Sequence, residues 1–526
     1  MSEVSPTTSD AKGPPRAGGF TATISRNIFA SLARVVAVSL VALLLPAYLT
    51  HRLPVTTYAA WVLILQLAAY VSYLDLGIQT AVSKFVAEYD AKSDHAGAGR
   101  HASSGLVLMI AAGTLGFALT LVLAWKVPHL FRTMPANLYQ DVRVSVILVG
   151  SSLSFGLVCA VYSAVFLGLQ RYWIPMTLSV VNRTSFAAVV IMVVALRGNL
   201  ATMAMAVATV NVTTGVLQVV AWRKKASHIR VSLRLVDYSV LKTVTGYCSL
   251  QSIAVVAMVC ITGLDVVIVG HYDYVQTAYY SIATLPTTFA LAIIGSMMGP
   301  LLPASSAMST HRSASEMGDF LIRITRYTAV MLLLTGLPLI VCGFPLLRFW
   351  VGPDYALRTL PYLRTLVFAN ITRTVFLPYA TMTAATGRQG AITASAVSEG
   401  VVNLGSSIYM ASKFGAIGVA LGTVLGSFVG VSLHFLISMH YTQQTVAISR
   451  SRLFLKGMLR PAIISLPSLI LSPLWRSPTH PSLSPRLTIV WGFSTLLCAW
   501  FSGLNLQERS DLIRLSRSRL SPSSAP

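Results

Sequence analysis

Runs of about 20 mostly apolar residues, the length needed to cross the hydrocarbon core of a bilayer, recur along the chain at short intervals. They predict helical spans at 27–49, 55–77, 103–125, 145–168, 175–196, 201–222, 245–270, 277–300, 323–347, 360–382, 390–411, 416–438, 459–475 and 487–503. That is about 14 transmembrane helices. The last two runs are the least regular, since 459–475 is short and carries Pro461, Pro467 and Pro473. Twelve spans followed by a re-entrant pair is therefore the alternative. The longest connections, near 78–102, 126–144 and 223–244, are too short to hold a catalytic domain. Residues 1–26, rich in Ser, Thr, Pro and Gly, lack an apolar segment and read as a disordered tail, not a cleaved signal peptide.

Composition agrees with this pattern. Of 526 residues 55% are hydrophobic and 10% charged, and the mean hydropathy is +0.70. Soluble domains carry roughly 25% charged residues, so this chain lacks the side chains to coat a water-facing surface, and a soluble enzyme is excluded. Disorder is excluded as well, because it requires low hydrophobicity. The expected class is an all-α polytopic membrane protein.

The net charge of +23 would suggest nucleic acid in a soluble protein. In a membrane protein, Lys and Arg collect in cytoplasmic loops, and here, with those near a span end counted in the adjoining loop, 25 of the 39 fall on the side of the N-terminus, against 11 opposite and three well inside spans. Both termini are therefore expected in the cytoplasm, with no nucleic-acid partner. The largest cluster, Arg223, Lys224, Lys225, Arg230, Arg234 and Lys242, follows the sixth span. A long basic connector there is expected between two pseudo-symmetric six-helix lobes. Read as more than a topology signal, it would dock anionic lipid or a partner enzyme. The expected organisation is a tail (1–26), a first lobe (27–222), a basic connector (223–244), a second lobe (245–440), a C-terminal helix pair (441–505) and a basic tail (506–526). Weak repeats agree: Tyr58 and Tyr279 open the second span of each half, and Gly168-Leu-Gln-Arg171 and Gly387-Arg388-Gln389 precede the fifth span of each.

Cys159, Cys248, Cys260, Cys342 and Cys498 lie in apolar runs without CxxC spacing, so neither a disulfide framework nor a zinc site is expected. The chain has no GxxxxGK[ST], HExxH or GxSxG motif, and neither a cofactor nor a catalytic residue is assigned.

Ionisable residues inside spans cost roughly 2.5–3.5 kcal/mol each at mid-helix on insertion scales, so each needs a reason. The basic ones are Arg34, Arg183 and Arg373; the acidic ones are Asp75, Asp265 and Glu399, with His434 in the twelfth span. One reading is pairing among helices, or snorkelling of those near an end. The other places the three arginines in a water-filled cavity for an anionic, phosphate-bearing cargo, since guanidinium matches phosphate oxygens in bidentate geometry. Arg183 and Glu399 stand at similar depths in the two halves, which suits a salt bridge that forms and breaks during transport. Asp75, Asp265 and Glu399 are candidates for ion coupling or gating.

Five stretches resemble the polysaccharide flippases of the multidrug/oligosaccharidyl-lipid/polysaccharide (MOP) exporter superfamily over about residues 25–440. They are Leu74-Asp75-Leu-Gly77 running on to Lys84-Phe-Val-Ala-Glu88; Phe166-Leu-Gly168-Leu-Gln170-Arg171; Leu264-Asp265 through Gly270 followed by Ala278-Tyr279-Tyr280; Phe349-Trp350-Val-Gly352; and Phe414-Gly415 through Gly418 to Gly422-Thr423. Locally, Gly77 permits a helix break, Lys84 and Glu88 are spaced as an i,i+4 pair, and glycines 415, 418 and 422 allow close helix packing. The resemblance implies two lobes around a central cavity and alternating access. It also implies an undecaprenyl-diphosphate-linked oligosaccharide as cargo, membrane lipid as surroundings, and polysaccharide polymerase or glycosyltransferase partners in a bacterial inner membrane. The extension beyond 440 is similar to the two added spans of lipid II flippases. A drug/cation antiporter of the same superfamily is the first alternative, against which the arginines argue. A membrane-embedded polysaccharide polymerase or ligase is the second, although no loop here is large.

Overall fold

The computed structural model describes residues 42–299, 301–475, 483–506 and 508–510, and every regular element among them is a helix. A spanning helix closes its backbone hydrogen bonds internally, which is what the bilayer requires. Ten described helices are long and apolar enough to cross a membrane. Their outer faces remain apolar where they meet no protein, as at Leu115 and Trp125, Val181 and Met192, and Leu425 and Phe428. The expected first span, 27–49, is described only from residue 42.

The first lobe begins with α1 (42–52) and α2 (Val55–Tyr73), then the short amphipathic α3 (Ile78–Ala91), then α4 (His95–Leu130), α5 (Tyr139–Gly168), α6 (Trp173–Ala195) and α7 (Leu200–Lys225). The second repeats this order. It consists of α8 (Tyr238–Met258) continued as α9 (Asp265–Tyr272), α10 (Gln276–Met298), the short α11 (Leu301–Ser309), α12 (Ala314–Val341) with α13 (Gly343–Val351), α14 (Pro353–Thr374) with α15 (Leu377–Ala385), α16 (Gly390–Phe414) and α17 (Ala416–Leu433). Neighbours repeat with the order. Helix α5 packs on α2, α4 and α7, and α14 packs on α10, α12 and α17; α6 lies along α7 as α16 lies along α17. Of the C-terminal helix pair, Arg450–Ile470 rests against α12, while Pro485–Cys498 packs on the 463–470 part of its partner and reaches α12 through its continuation Ala499–Gly503.

Several expected boundaries change. The ninth span, expected at 323–347, starts earlier and breaks at Cys342, one turn beyond Pro338, whose missing N–H weakens the helix there. Arg364 of α14 covers that break by donating to Ile340 O at 3.0 Å. The tenth, expected at 360–382, is interrupted between Thr374 and Leu377. Neither α14, with Asp354, Arg358, Arg364 and Arg373, nor the Ser/Asn/Glu-bearing α16 is among the ten apolar helices, because both turn polar faces inward. Two further expectations fail. Glu88 pairs with Lys92 at 2.8 Å, not with Lys84, whose ammonium lies over the Tyr247 ring at 4.6 Å. Gly415 has open space around it and serves as a turn at φ 66°, so it does not belong to the packing stripe.

That stripe is longer than the motif suggested. Gly418, Gly422, Gly426 and Gly430 run along one face of α17, and a Cβ on each would strike Met410, Ser407, Asn403 and Glu399 of the antiparallel α16 in turn. The two backbones approach as closely as small residues permit. By contrast Gly405, on α16, has nothing within 4 Å of a built Cβ.

The lobes meet at the end bearing the turns near 53, 131–138 and 273. There Tyr58 and Tyr279 pack edge-on against Tyr355 at 6.3 and 5.1 Å. Tyr274 Oη donates to Thr56 O at 2.7 Å, His271 Nδ1 donates to Leu130 O at 2.7 Å, and Trp350 Nε1 donates to Leu43 O at 2.9 Å. One continuous buried apolar cluster spans both lobes there. At the opposite end the apolar clusters stay within one lobe, apart from the first half of α8, which packs through Val244 and Cys248 on the first lobe. Gly77, at φ 84°, makes the α2–α3 turn there and faces Gln251 of α8, whose Cβ lies 2.7 Å from where a Cβ on Gly77 would be.

The stripe yields a first expectation. Gly422→Val should overpack the α16–α17 contact and cost about 1–3 kcal/mol, whereas Gly405→Ala should be neutral or slightly stabilising. Thermal unfolding of the two purified variants, followed by loss of the monodisperse chromatographic peak, measures the difference.

Candidate functional site

The site begins at a broken helix. Between α8 and α9 the chain makes a π turn over Val259–Gly263, which releases carbonyls that a continuous helix would have used. Each released carbonyl inside the bundle needs a donor. Ile261 O receives Asn403 Nδ2 of α16 at 3.1 Å. Gly263 O receives two donors from the first lobe, Gln66 Nε2 at 2.8 Å and Tyr70 Oη at 2.9 Å, both on α2. The break is therefore held between lobes.

Asp265 stands in the first turn of α9, immediately after the break, and is 7% exposed. One carboxylate oxygen accepts from Tyr280 Oη of α10 at 3.2 Å and from Thr423 Oγ1 of α17 at 3.4 Å. Arg373 of α14 lies within electrostatic reach of both Asp265 and Glu399. It pairs with Glu399 at 3.8 Å, Nη1 to Oε1, and donates through Nη2 to Asn370 Oδ1 at 2.5 Å. At 3.8 Å the pair is ionic without a hydrogen bond, and neither Arg373 Nη1 nor Glu399 Oε1 has a hydrogen-bond partner among the described residues. Glu399, Asn403 and Ser407 fall at i, i+4 and i+8 on one face of α16, and Ser407 Oγ donates to Asn403 Oδ1 at 3.2 Å. The result is a buried column of two carboxylates, one guanidinium, two carboxamides and hydroxyls, built from α9, α10, α14, α16 and α17. Such a column can hold a proton or a small cation in exchange for the Arg373 interaction. A cavity of about 390 Å³ lies between α8 and α15–α16, lined by Tyr247, Gln251, Gln389 and Thr393 among others.

The sequence candidates distribute unevenly around this column. Asp265, Glu399 and Arg373 come together. Arg34 lies outside the described residues. Arg183 is exposed on α6 and forms neither an ion pair nor a hydrogen bond among them, while its neighbour Asn182 donates to Asn211 Oδ1 and Thr214 Oγ1 of α7. The salt bridge imagined between the levels of Arg183 and Glu399 is not formed in this conformation; Glu399 has Arg373 instead. Asp75 sits in the α2–α3 turn, where its Oδ1 receives the Gln79 N–H at 3.1 Å and caps α3. His434 stacks on Phe376 at 5.4 Å and lies 3.3 Å from Ser438 Oγ, apart from the column. Gln66, Tyr70, Asn370 and Asn403 were not anticipated. The i, i+4 spacing of Glu399 and Asn403 and the i, i+3 spacing of Asn370 and Arg373 were the available signals. Arg326, near the start of the expected ninth span and counted there with the preceding loop, is buried in α12 and ion-paired with Glu508.

No protein-family model matches the chain, and no curated protein matches it. Solved structures do. A lipid II flippase, MurJ, in an inward closed conformation superposes with a TM-score of 0.68 at 14% identity, covering 93% of this chain and 100% of its own. A multidrug resistance MATE family transporter of the MOP superfamily in an inward-facing conformation gives 0.61 at 15% identity, covering 76% and 96%. An outward-facing structure of the same description gives 0.54 at 16% identity, covering 78% and 94%. The chain thus has the fold of MOP superfamily transporters.

Two outcomes follow from the geometry. Glu399→Gln should leave Arg373 without its carboxylate and cost about 3–5 kcal/mol, and the double change Arg373→Met with Glu399→Met should recover most of that stability; thermal unfolding of both variants tests this. Separately, Gln66→Leu with Tyr70→Phe should strip Gly263 O of both donors, a loss of about 1–3 kcal/mol. Hydrogen exchange should then rise in the peptide spanning 255–270, with little change elsewhere in α8.

Proposed function

We propose that the chain is a transporter that flips a polyprenyl-diphosphate-linked oligosaccharide across a bacterial cytoplasmic membrane by alternating access, with the Asp265–Arg373–Glu399 column coupling the cycle to a cation or proton. The observation that carries the coupling is the column itself, charged and buried beside a helix break that the other lobe clasps. Intramembrane ionisable groups of this kind are found where ions or protons pass, and broken helices are found at transporter binding sites. Occupancy of the column by a cation would weaken the Arg373–Glu399 pairing, alter the packing around Asp265, and so change what Gln66 and Tyr70 hold at Gly263.

With both termini in the cytoplasm, as the loop charges indicate, the sealed end carrying Tyr58, Tyr279 and Tyr355 is the outer one, and the conformation is inward-facing. The higher similarity to the inward-facing than to the outward-facing MATE transporter supports that reading. A lipid-linked cargo is supported by the arginines in spans and by the near end-to-end superposition with a lipid II flippase, against three quarters of the chain for the MATE transporters. Arg34 and Arg183 are assigned to the cargo phosphates; Arg373 is assigned to coupling.

A deletion strain complemented with variants tests this. Arg34→Ala and Arg183→Ala should each lower surface polysaccharide at least tenfold with normal membrane insertion. Asp265→Asn and Glu399→Gln should abolish the dependence of export on the driving ion. Intact polysaccharide in the deletion strain together with heightened sensitivity to cationic drugs would replace this reading with a drug/cation antiporter.

A further inference from the structure

Outside the column, one cluster of side chains has the chemistry of a metal site and no part in the proposed transport. Asp90 ends α3, His95 begins α4, and His228 lies in the turn after α7. The candidate ligand atoms of these three residues all lie within 4.8 Å of one another. His95 Nδ1 is 3.7 Å from Asp90 Oδ1, and the His95 and His228 rings meet edge-on with centroids 5.2 Å apart. Tetrahedral zinc with ligand bonds of about 2.0–2.1 Å needs its donor atoms roughly 3.3 Å apart, which half-exposed side chains of this placement reach by small rotations.

What makes the cluster more than three adjacent surface residues is that each of its backbones is fixed. The α3–α4 turn is pinned by the Asp94 N–H on Tyr89 O at 2.9 Å and by the Asp94 carboxylate on the Gly97 N–H at 2.7 Å, so Asp94 is already occupied as a cap. The 226–232 segment is pinned by the fully buried Ala226 and Ile229, by Trp222 Nε1 on Ile229 O at 3.1 Å, and by the Ser232 N–H on Ser103 Oγ at 3.0 Å. It runs so close to α4 that a Cβ on Gly99 would lie 2.8 Å from Arg230 O. The neighbouring Glu88 and Lys92 neutralise each other at 2.8 Å. Two imidazoles and one carboxylate on three fixed segments suit Zn²⁺ or another first-row divalent ion, with water completing the coordination; they do not suit Mg²⁺ or Ca²⁺, which prefer oxygen ligands.

We propose that Asp90, His95 and His228 form a surface site for Zn²⁺ or a similar transition-metal ion, which ties the α3–α4 corner to the start of the basic connector between the lobes. Such an ion cross-links segments that are more than 130 residues apart in sequence and stabilises the folded first lobe by binding it alone. The site is independent of the cargo and of the column.

The test is titration of Zn²⁺ into the full chain in lipid nanodiscs, metal-free and without a polyhistidine tag. One saturable site is expected, weakened at least tenfold in His95→Gln and in His228→Gln, weakened in Asp90→Asn, and unchanged in His51→Gln, which alters an exposed histidine on α1. Zn²⁺ should also raise the thermal midpoint of the wild-type chain and leave that of the His95→Gln/His228→Gln double variant in place. The proposal is overturned by the absence of a saturable site, by equal affinity in the double variant, or by Mg²⁺ competing at similar concentration.

Discussion

The approach of α17 to α16 sets the geometry on which the buried charges depend. Four glycines at i, i+4 spacing remove every side chain between the two helices, so Met410, Ser407, Asn403 and Glu399 press directly on the backbone of α17. In a bilayer there is no hydrophobic force to drive helices together, and close packing of this kind is among the few sources of association. It also fixes register. With Gly430 against the Glu399 carboxylate and Gly426 against Asn403, the polar face of α16 can point only toward α9 and α14, where Ile261 O and Arg373 await it. Thr423, one position beyond Gly422 on α17, is brought to the Asp265 carboxylate by the same constraint. Widening this contact by one methyl group would displace the column as a whole.

The second constraint is the backbone at the helix break. Carbonyls freed by the π turn at Val259–Gly263 cannot be left unsatisfied, and the molecule pairs one within the second lobe and the other across to the first. Gly263 O, with its two donors on α2, is thus a mid-depth link between halves whose other direct hydrogen bonds to each other, among the described residues, gather at one end. In the proposed cycle, a rocking motion that opened the tyrosine-lined seal would either keep this link as a pivot or break it, and Asp265 lies two residues away. Local chemistry at Asp265 and the relative position of the lobes are therefore connected through a few atoms, not through a diffuse path.

Much of this architecture was legible in the sequence because the bilayer makes helices from long apolar runs and little else. Among the described residues ten helices, the eight spans from α2 to α12 together with α17 and Arg450–Ile470, are recognisable by hydropathy alone. Helices α14 and α16 are less so by that measure, since Arg364, Arg373, Glu399 and Asn403 reduce their apolar character for the same reason that they matter: they face inward. Asp265, Glu399 and Arg373 could be singled out by the cost of burying charge. Their grouping could not, because it depends on the α16–α17 register and on the break before Asp265. Gln66 and Tyr70 escaped notice because neutral polar residues are common in spans, and nothing local to α2 reveals that a carbonyl nearly 200 residues away requires them. Charge counting misplaced Arg326 because proximity to a loop resembles membership in it.

The two lobes share an order of helices and a pattern of neighbours, yet their polar interiors differ in kind. Between α5, α6 and α7 the buried contacts are neutral: Asn182 meets Asn211 and Thr214, and Asn211 meets Ser152. Among the described residues no ion pair forms between those helices. The corresponding α14, α16 and α17 hold Arg373, Glu399 and, from α9, Asp265. A neutral network has the same energy whatever the proton or cation concentration, so the first lobe is suited to act as a rigid reference. A charged network in low dielectric changes its interactions strongly when one charge is added or removed. In the proposed transport cycle that difference would assign the response to the second lobe, with the carbonyl of Gly263 as the point where the first lobe holds it.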